Sequence, residues 1–182
     1  GSTTAGRVQF DDEVITLNTA NGSTSQTSGG GNIIIGGGTA TDANGNPTGA
    51  VGANGDWAIT FGGGSSGYGQ LYSGGGNISI KGNTSYGNSI LIGRTTTMNA
   101  GNGSINIVGC GTWSGILMNS WNGAYNITAA GDITLTGSSS GSGIYDYDYA
   151  GIRSYYNNTT DGGTIRSTRG NVTLTGTGLQ AG

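Results

Sequence analysis

Apolar and polar residues alternate in short bursts along this chain, and the bursts share one phrase. It is glycine, a small polar residue, then apolar–any–apolar, and usually a closing glycine. It reads GNIIIG at residues 31–36, GDWAITFG at 55–62, GNISIKG at 76–82, GSINIVG at 103–109, GDITLTG at 131–137 and GNVTLTG at 170–176. Successive side chains of a strand point to opposite faces. The pairs Ile33/Ile35, Ile59/Phe61, Ile78/Ile80, Ile105/Ile107, Ile133/Leu135 and Val172/Leu174 are therefore expected on one buried face. The residues between them, Ser79, Asn106, Thr134 and Thr173, are polar and expected outside, with Ile34 and Ala58 as exceptions.

A phrase repeated every 20–50 residues marks a solenoid, in which each unit stacks on the one before. Further short apolar runs follow the first strands, at 70–72, 90–92, 116–118 and 144–145, and a third segment closes some rounds at 125–128 and 164–166. The pattern predicts an all-β chain: a parallel β-helix (β-solenoid) of about six to seven coils, with three short strands per coil and no α-helix of consequence. Gly76 to Gly103 is 27 residues and Gly103 to Gly131 is 28, but Gly131 to Gly170 is 39. The excess predicts a loop insertion over 143–163 within a single domain spanning 1–182. The opening Gly1-Ser2 reads as an expression scar, and the absence of a cap helix reads as a fragment of a longer repeat protein.

The residue ahead of each first strand is Asn32, Asp56, Asn77, Ser104, Asp132 or Asn171. Such side chains hydrogen-bond nearby backbone in turns. Stacking is expected to bring them into one structural column about 4.8 Å apart. The recurrent glycines are expected at corners that need positive φ at every level.

Composition narrows the chemistry. Of 182 residues 41 are glycine and one is proline, charged residues make up 8%, and the net charge is −3. Glycine lacks the collagen period, and the alternating Ile, Val and Leu argue against disorder. No basic patch could neutralise phosphates, so nucleic acid is not expected as a partner. No run approaches the ~20 apolar residues of a membrane span, so no membrane insertion by this segment is expected. There is no histidine, and the one cysteine, Cys110, reads as a small buried hydrophobe.

The phrases AGDITLTG and RGNVTLTG, led by YNITAA and TIRST, resemble the repeat region of filamentous-haemagglutinin-like adhesins, large bacterial surface proteins exported by two-partner secretion. Similar repeats occur in autotransporter passenger domains. The resemblance covers about residues 31–176. It implies a right-handed β-helix, a secreted or cell-surface location, contiguous repeats of the same chain, and a role as stalk or contact surface in adhesion. The partner it implies is an unidentified surface protein or glycan of a host or partner cell. It transfers no ligand residues, catalytic residues or cofactor. Asn44-Gly45-Asn46-Pro47 does not match the Asn-Pro-Asn motif of the family's export domain.

The densest candidate binding cluster is Tyr145, Asp146, Tyr147, Asp148 and Tyr149, followed by Tyr155 and Tyr156. Tyrosine offers a flat apolar face and a polar tip suited to sugar or protein contact. The alternative is that alternate tyrosines pave one strand. Asp146 and Asp148 alone make a weak calcium signal, so no metal or cofactor is expected. A polysaccharide-binding or polysaccharide-cleaving β-helix is the alternative function. Cleavage needs paired carboxylates or a metal with a base, and the only suggestive grouping is Arg153, Arg166 and Arg169 near Asp161. Threonines at 134, 136, 173 and 175 do not extend into the flat array that ice binding requires.

Overall fold

The structure is a computed structural model and describes residues 6–10, 14–62, 68–120, 123–141, 149–155 and 162–178. The chain opens with β1 (Val8–Phe10), β2 (Val14–Asn18) and β3 (Ile33–Ile35). It then inserts a hairpin of β4 (Gly37–Thr41) and β5 (Pro47–Gly49), and resumes at β6 (Val51–Ala53). A second round follows as β7 (Ile59–Phe61), β8 (Tyr68–Tyr72) and β9 (Ile78–Thr84), and a third as β10 (Ile90–Ile92), β11 (Thr97–Asn99) and β12 (Ile105–Gly111). The fourth is β13 (Ser114–Asn119), β14 (Asn126–Ala129) and β15 (Ile133–Ser139), and the fifth is β16 (Ala150–Tyr155), β17 (Thr164–Ser167) and β18 (Val172–Thr177).

These strands form three parallel sheets. Sheet A is ordered β1-β7-β10-β13-β16, sheet B β2-β8-β11-β14-β17, and sheet C β3-β9-β12-β15-β18, with β6 also pairing β9. Only the β4–β5 hairpin is antiparallel, and there is no helix among the described residues. Stacked parallel sheets of this kind are consistent with a β-solenoid. The stacking is like on like: Ile78, Ile105, Ile133 and Val172 lie in register, as do Ile80, Ile107, Leu135 and Leu174. Leu71, Met98 and Ile127 form the corresponding ladder of sheet B. Together with Ile59, Phe61, Ile90, Ile92 and Ile116 of sheet A the residues of these ladders make one buried core, except Val172 and Leu174, which were expected inside but are exposed on the fifth level.

Several expectations change. The phrase at 55–62 does not belong with the other five. Its Ile59 and Phe61 lie over Ile90 and Ile92 in sheet A, so each sheet holds five levels among the described residues, where counting six like phrases gave six to seven. Gln70–Tyr72 belongs to sheet B, not beside Ile90–Ile92. Part of the expected insertion at 143–163 is core: Ala150–Tyr155 is the fifth strand of sheet A. Ala58 and Ser79 are buried instead of exposed, Ser79 because the β4–β5 hairpin lies over it. Cys110 is half-exposed, because its place in β12 alternates with the inward residues.

The glycines also answer to a different cause. Gly82, Gly109, Gly137 and Gly176 lie in register, and none of them has positive φ. A Cβ on Gly109 would sit 2.1 Å from the carbonyl oxygen of Gly115, and one on Gly137 1.9 Å from that of Gly151. At Gly109 and Gly137 the constraint is close approach of two backbones where sheet C meets sheet A, while at Gly82 it is the side chains of Ser89 and Ile90. Positive φ is needed at other places, such as Gly74, Gly75 and Gly101.

Candidate functional site

The polar residue ahead of each sheet C strand sits directly below its equivalent on the next level. The Asn32 Oδ1 accepts the Asn77 backbone N–H at 2.8 Å, Asn77 Oδ1 that of Ser104 at 2.9 Å, and Asp132 Oδ1 that of Asn171 at 2.8 Å. These bonds tie one level to the next. Asp56, which heads a sheet A strand, is not in this column. It makes the same bond at another corner, its Oδ1 accepting the Asn88 N–H at 2.8 Å.

Of the tyrosine cluster, Tyr145, Asp146, Tyr147, Asp148 and Tyr156 lie outside the described residues. Tyr149 is half-buried just ahead of β16, with its ring against Gly141. Tyr155 ends the same strand, 37% exposed, with the Arg153 guanidinium 5.6 Å from its ring centroid. Arg153 stands on a sheet A strand and Arg166 on a sheet B strand; Asp161 lies outside the described residues.

Tyr149 has company that the sequence reading missed. Trp57, Tyr86 and Trp113 each lie in the segment leading from sheet C into a sheet A strand, one per level. Tyr86 is 56% exposed, and its ring lies 5.1 Å from that of Trp113. Trp57 holds φ at +65°, a left-handed conformation that is costly for a bulky residue. The usable signal was positional: an aromatic residue shortly before each of β7, β10, β13 and β16.

A second missed feature is the hairpin. Its turn is organised by Asp42, whose Oδ1 accepts the backbone N–H of Asn44 (2.8 Å) and Asn46 (2.9 Å) while its Oδ2 accepts the Asn46 amide (3.2 Å). Hydrogen bonds from Asn46, backbone first and side chain second, hold the Asp42 carboxyl below the usual carboxylate range. The Asn46 Oδ1 then accepts from Ser79 Oγ (2.5 Å) and Asn106 Nδ2 (2.8 Å), pinning the turn to two successive levels of sheet C. Lys81 Nζ adds a 3.4 Å bond to the Thr48 carbonyl.

Between this hairpin and sheet C lies a groove of about 630 Å³. Asn44 and Asn46 line it from the hairpin, Asn106 and Thr134 from the outward row of sheet C, and Ser104 and Asp132 from the turn column. A smaller depression beside Arg169, whose Nη2 donates to Asn102 Oδ1 at 2.6 Å, shares Ser104 and Asp132 with it. Asp132 is the only charged residue lining the larger groove among the described residues. Among the described residues, no three His, Cys, Asp or Glu side chains gather as a metal site would require. Comparison with family models, with curated proteins and with solved structures finds no match to this chain.

Proposed function

We propose that this chain is a repeat segment of a secreted bacterial surface adhesin. It is a right-handed β-helical rod, five turns deep in its described part, whose work is to hold distance and to present contact surfaces to a protein or glycan of another cell. The observation that carries this reading is the level-by-level register of three parallel sheets, which makes a stiff, polar-sided rod. The adhesin-like phrases of the sequence supply the cellular setting. The exposed Tyr86, stacked at a tilt on the half-buried Trp113, supplies a contact edge of the kind aromatic residues favour. Binding fits the groove better than cleavage, because a lone carboxylate there does not provide the pair that glycoside hydrolysis requires.

Attachment tests the proposal. The chain is displayed on beads, and retention on host or partner bacterial cells is counted beside beads carrying a Tyr86→Ala, Trp113→Ala double variant. The expected result is retention by the native chain and a severalfold loss in the variant. Equal retention by native and uncoated beads across a broad cell panel would overturn the adhesive role.

A further inference from the structure

The β4–β5 hairpin is an insert that the rod does not need. Strands β3 and β6 on either side of it both pair with β9, Ile33 opposite Ile78 and Val51 opposite Gly82, so the row of sheet C continues without it. The inserted residues nonetheless turn back over the outer face and are held there by Asn46 on Ser79 and Asn106. The result is a walled groove on a face that stacking alone would leave flat.

We propose that this groove binds a neutral saccharide of one or two rings. Its volume lies within the roughly 300–1,000 Å³ of small-molecule sites. Asn44 makes no side-chain hydrogen bond among the described residues, and neither do the hydroxyls of Ser104 and Thr134. The Oδ1 of Asn106 and the Oδ2 of Asp132 are likewise unengaged, although the other oxygen or nitrogen of each is bonded. The groove thus offers amides and hydroxyls, which donate and accept, with free acceptors outnumbering free donors. A sugar hydroxyl also does both, whereas the carboxylate or sulfate group of an anionic sugar only accepts and is repelled by the Asp132 carboxylate. Equivalent groups on adjacent levels repeat at about 4.8 Å, so Ser104 and Asp132 can each engage a different hydroxyl of one sugar.

This inference names the ligand class of the adhesive reading above and rests on that reading only for its biological use. The test is titration of the 15N-labelled chain with glucose, galactose, mannose, N-acetylglucosamine and lactose, with sialyllactose, a heparin disaccharide and calcium chloride as separate probes. At least one neutral sugar is expected to shift the side-chain amides of Asn44 and Asn106 saturably. Thr134→Val should weaken that binding about fivefold to tenfold, while Thr173→Val, on the next level in the same row, leaves it unchanged. Asn106→Ala, which removes one of the two side-chain anchors of Asn46, should weaken it as well. No saturable shift from any neutral sugar at up to about 50 mM would overturn the proposal. So would shifts confined to the Tyr86–Trp113 edge, tighter binding of the anionic sugars, or saturation of the groove by calcium alone. Saccharide titration without cell retention would remove the adhesive reading and leave the groove; retention without titration would do the reverse.

Discussion

Inside the rod, each residue is surrounded by copies of itself, and this sets the size of single-residue effects. Ile107 has no exposed surface and lies between Ile80 and Leu135. Ile107→Ala should cost about 2–5 kcal/mol, and Ile107→Asp at least as much, because a charge there has no partner. Urea unfolding followed by circular dichroism measures both, and an unchanged midpoint would refute the inward assignment. Asn77→Ala removes the acceptor of the Ser104 N–H and should cost about 1 kcal/mol. The glycines divide by space: Gly109→Ala should destabilise by about 1–3 kcal/mol or more, whereas Gly52→Ala, with open space around its position, should be nearly neutral by the same measurement. The inward pairs and the asparagine column were legible because strand parity and turn chemistry are local properties. The reason for the glycines was not, since the Gly115 carbonyl that excludes a Cβ at Gly109 comes from the next strand in another sheet.

At the scale of the element, one phrase served two sheets. WAITF has the same alternation as INIVG, and alternation reports only that a strand has one buried face. Which sheet it joins is decided by the length of the segments around it, and these vary from level to level. Asn-Gly and Asn-Pro at 44–47 mark a turn, but the landing place of the hairpin depends on Asn46 meeting Ser79 and Asn106, residues remote in sequence. The hairpin carries its own pH dependence. Because the folded pKa of Asp42 is depressed, its contribution is complete above the ordinary carboxylate value of about 4 and is lost as pH falls through the lower folded value. Acidification toward pH 3 should therefore raise amide exchange at Asn44 and Asn46 before the core strands respond. In Asp42→Asn that acid step should disappear.

At the scale of the whole molecule, the two ends of the stack differ. Ile33 and Ile35 on the first level of sheet C are buried, whereas Val172 and Leu174 on the fifth are 42% and 49% exposed. β18 also presents an unpaired edge, and such edges invite pairing with other chains. The 182-residue chain should thus self-associate as its concentration rises, and Leu174→Lys should lower that tendency in analytical ultracentrifugation; an unaltered sedimentation profile would refute the end-on contact.

The register also governs what happens under load. Ile78 lies over Ile105 and Ile105 over Ile133, so a middle level takes up 27 or 28 residues. It adds only about 4.8 Å of height, while the same residues pulled straight reach about 95 Å. A stack of this kind lengthens roughly twentyfold for each rung it surrenders, so a pull on its two ends would meet a sequence of yielding steps in place of one abrupt break.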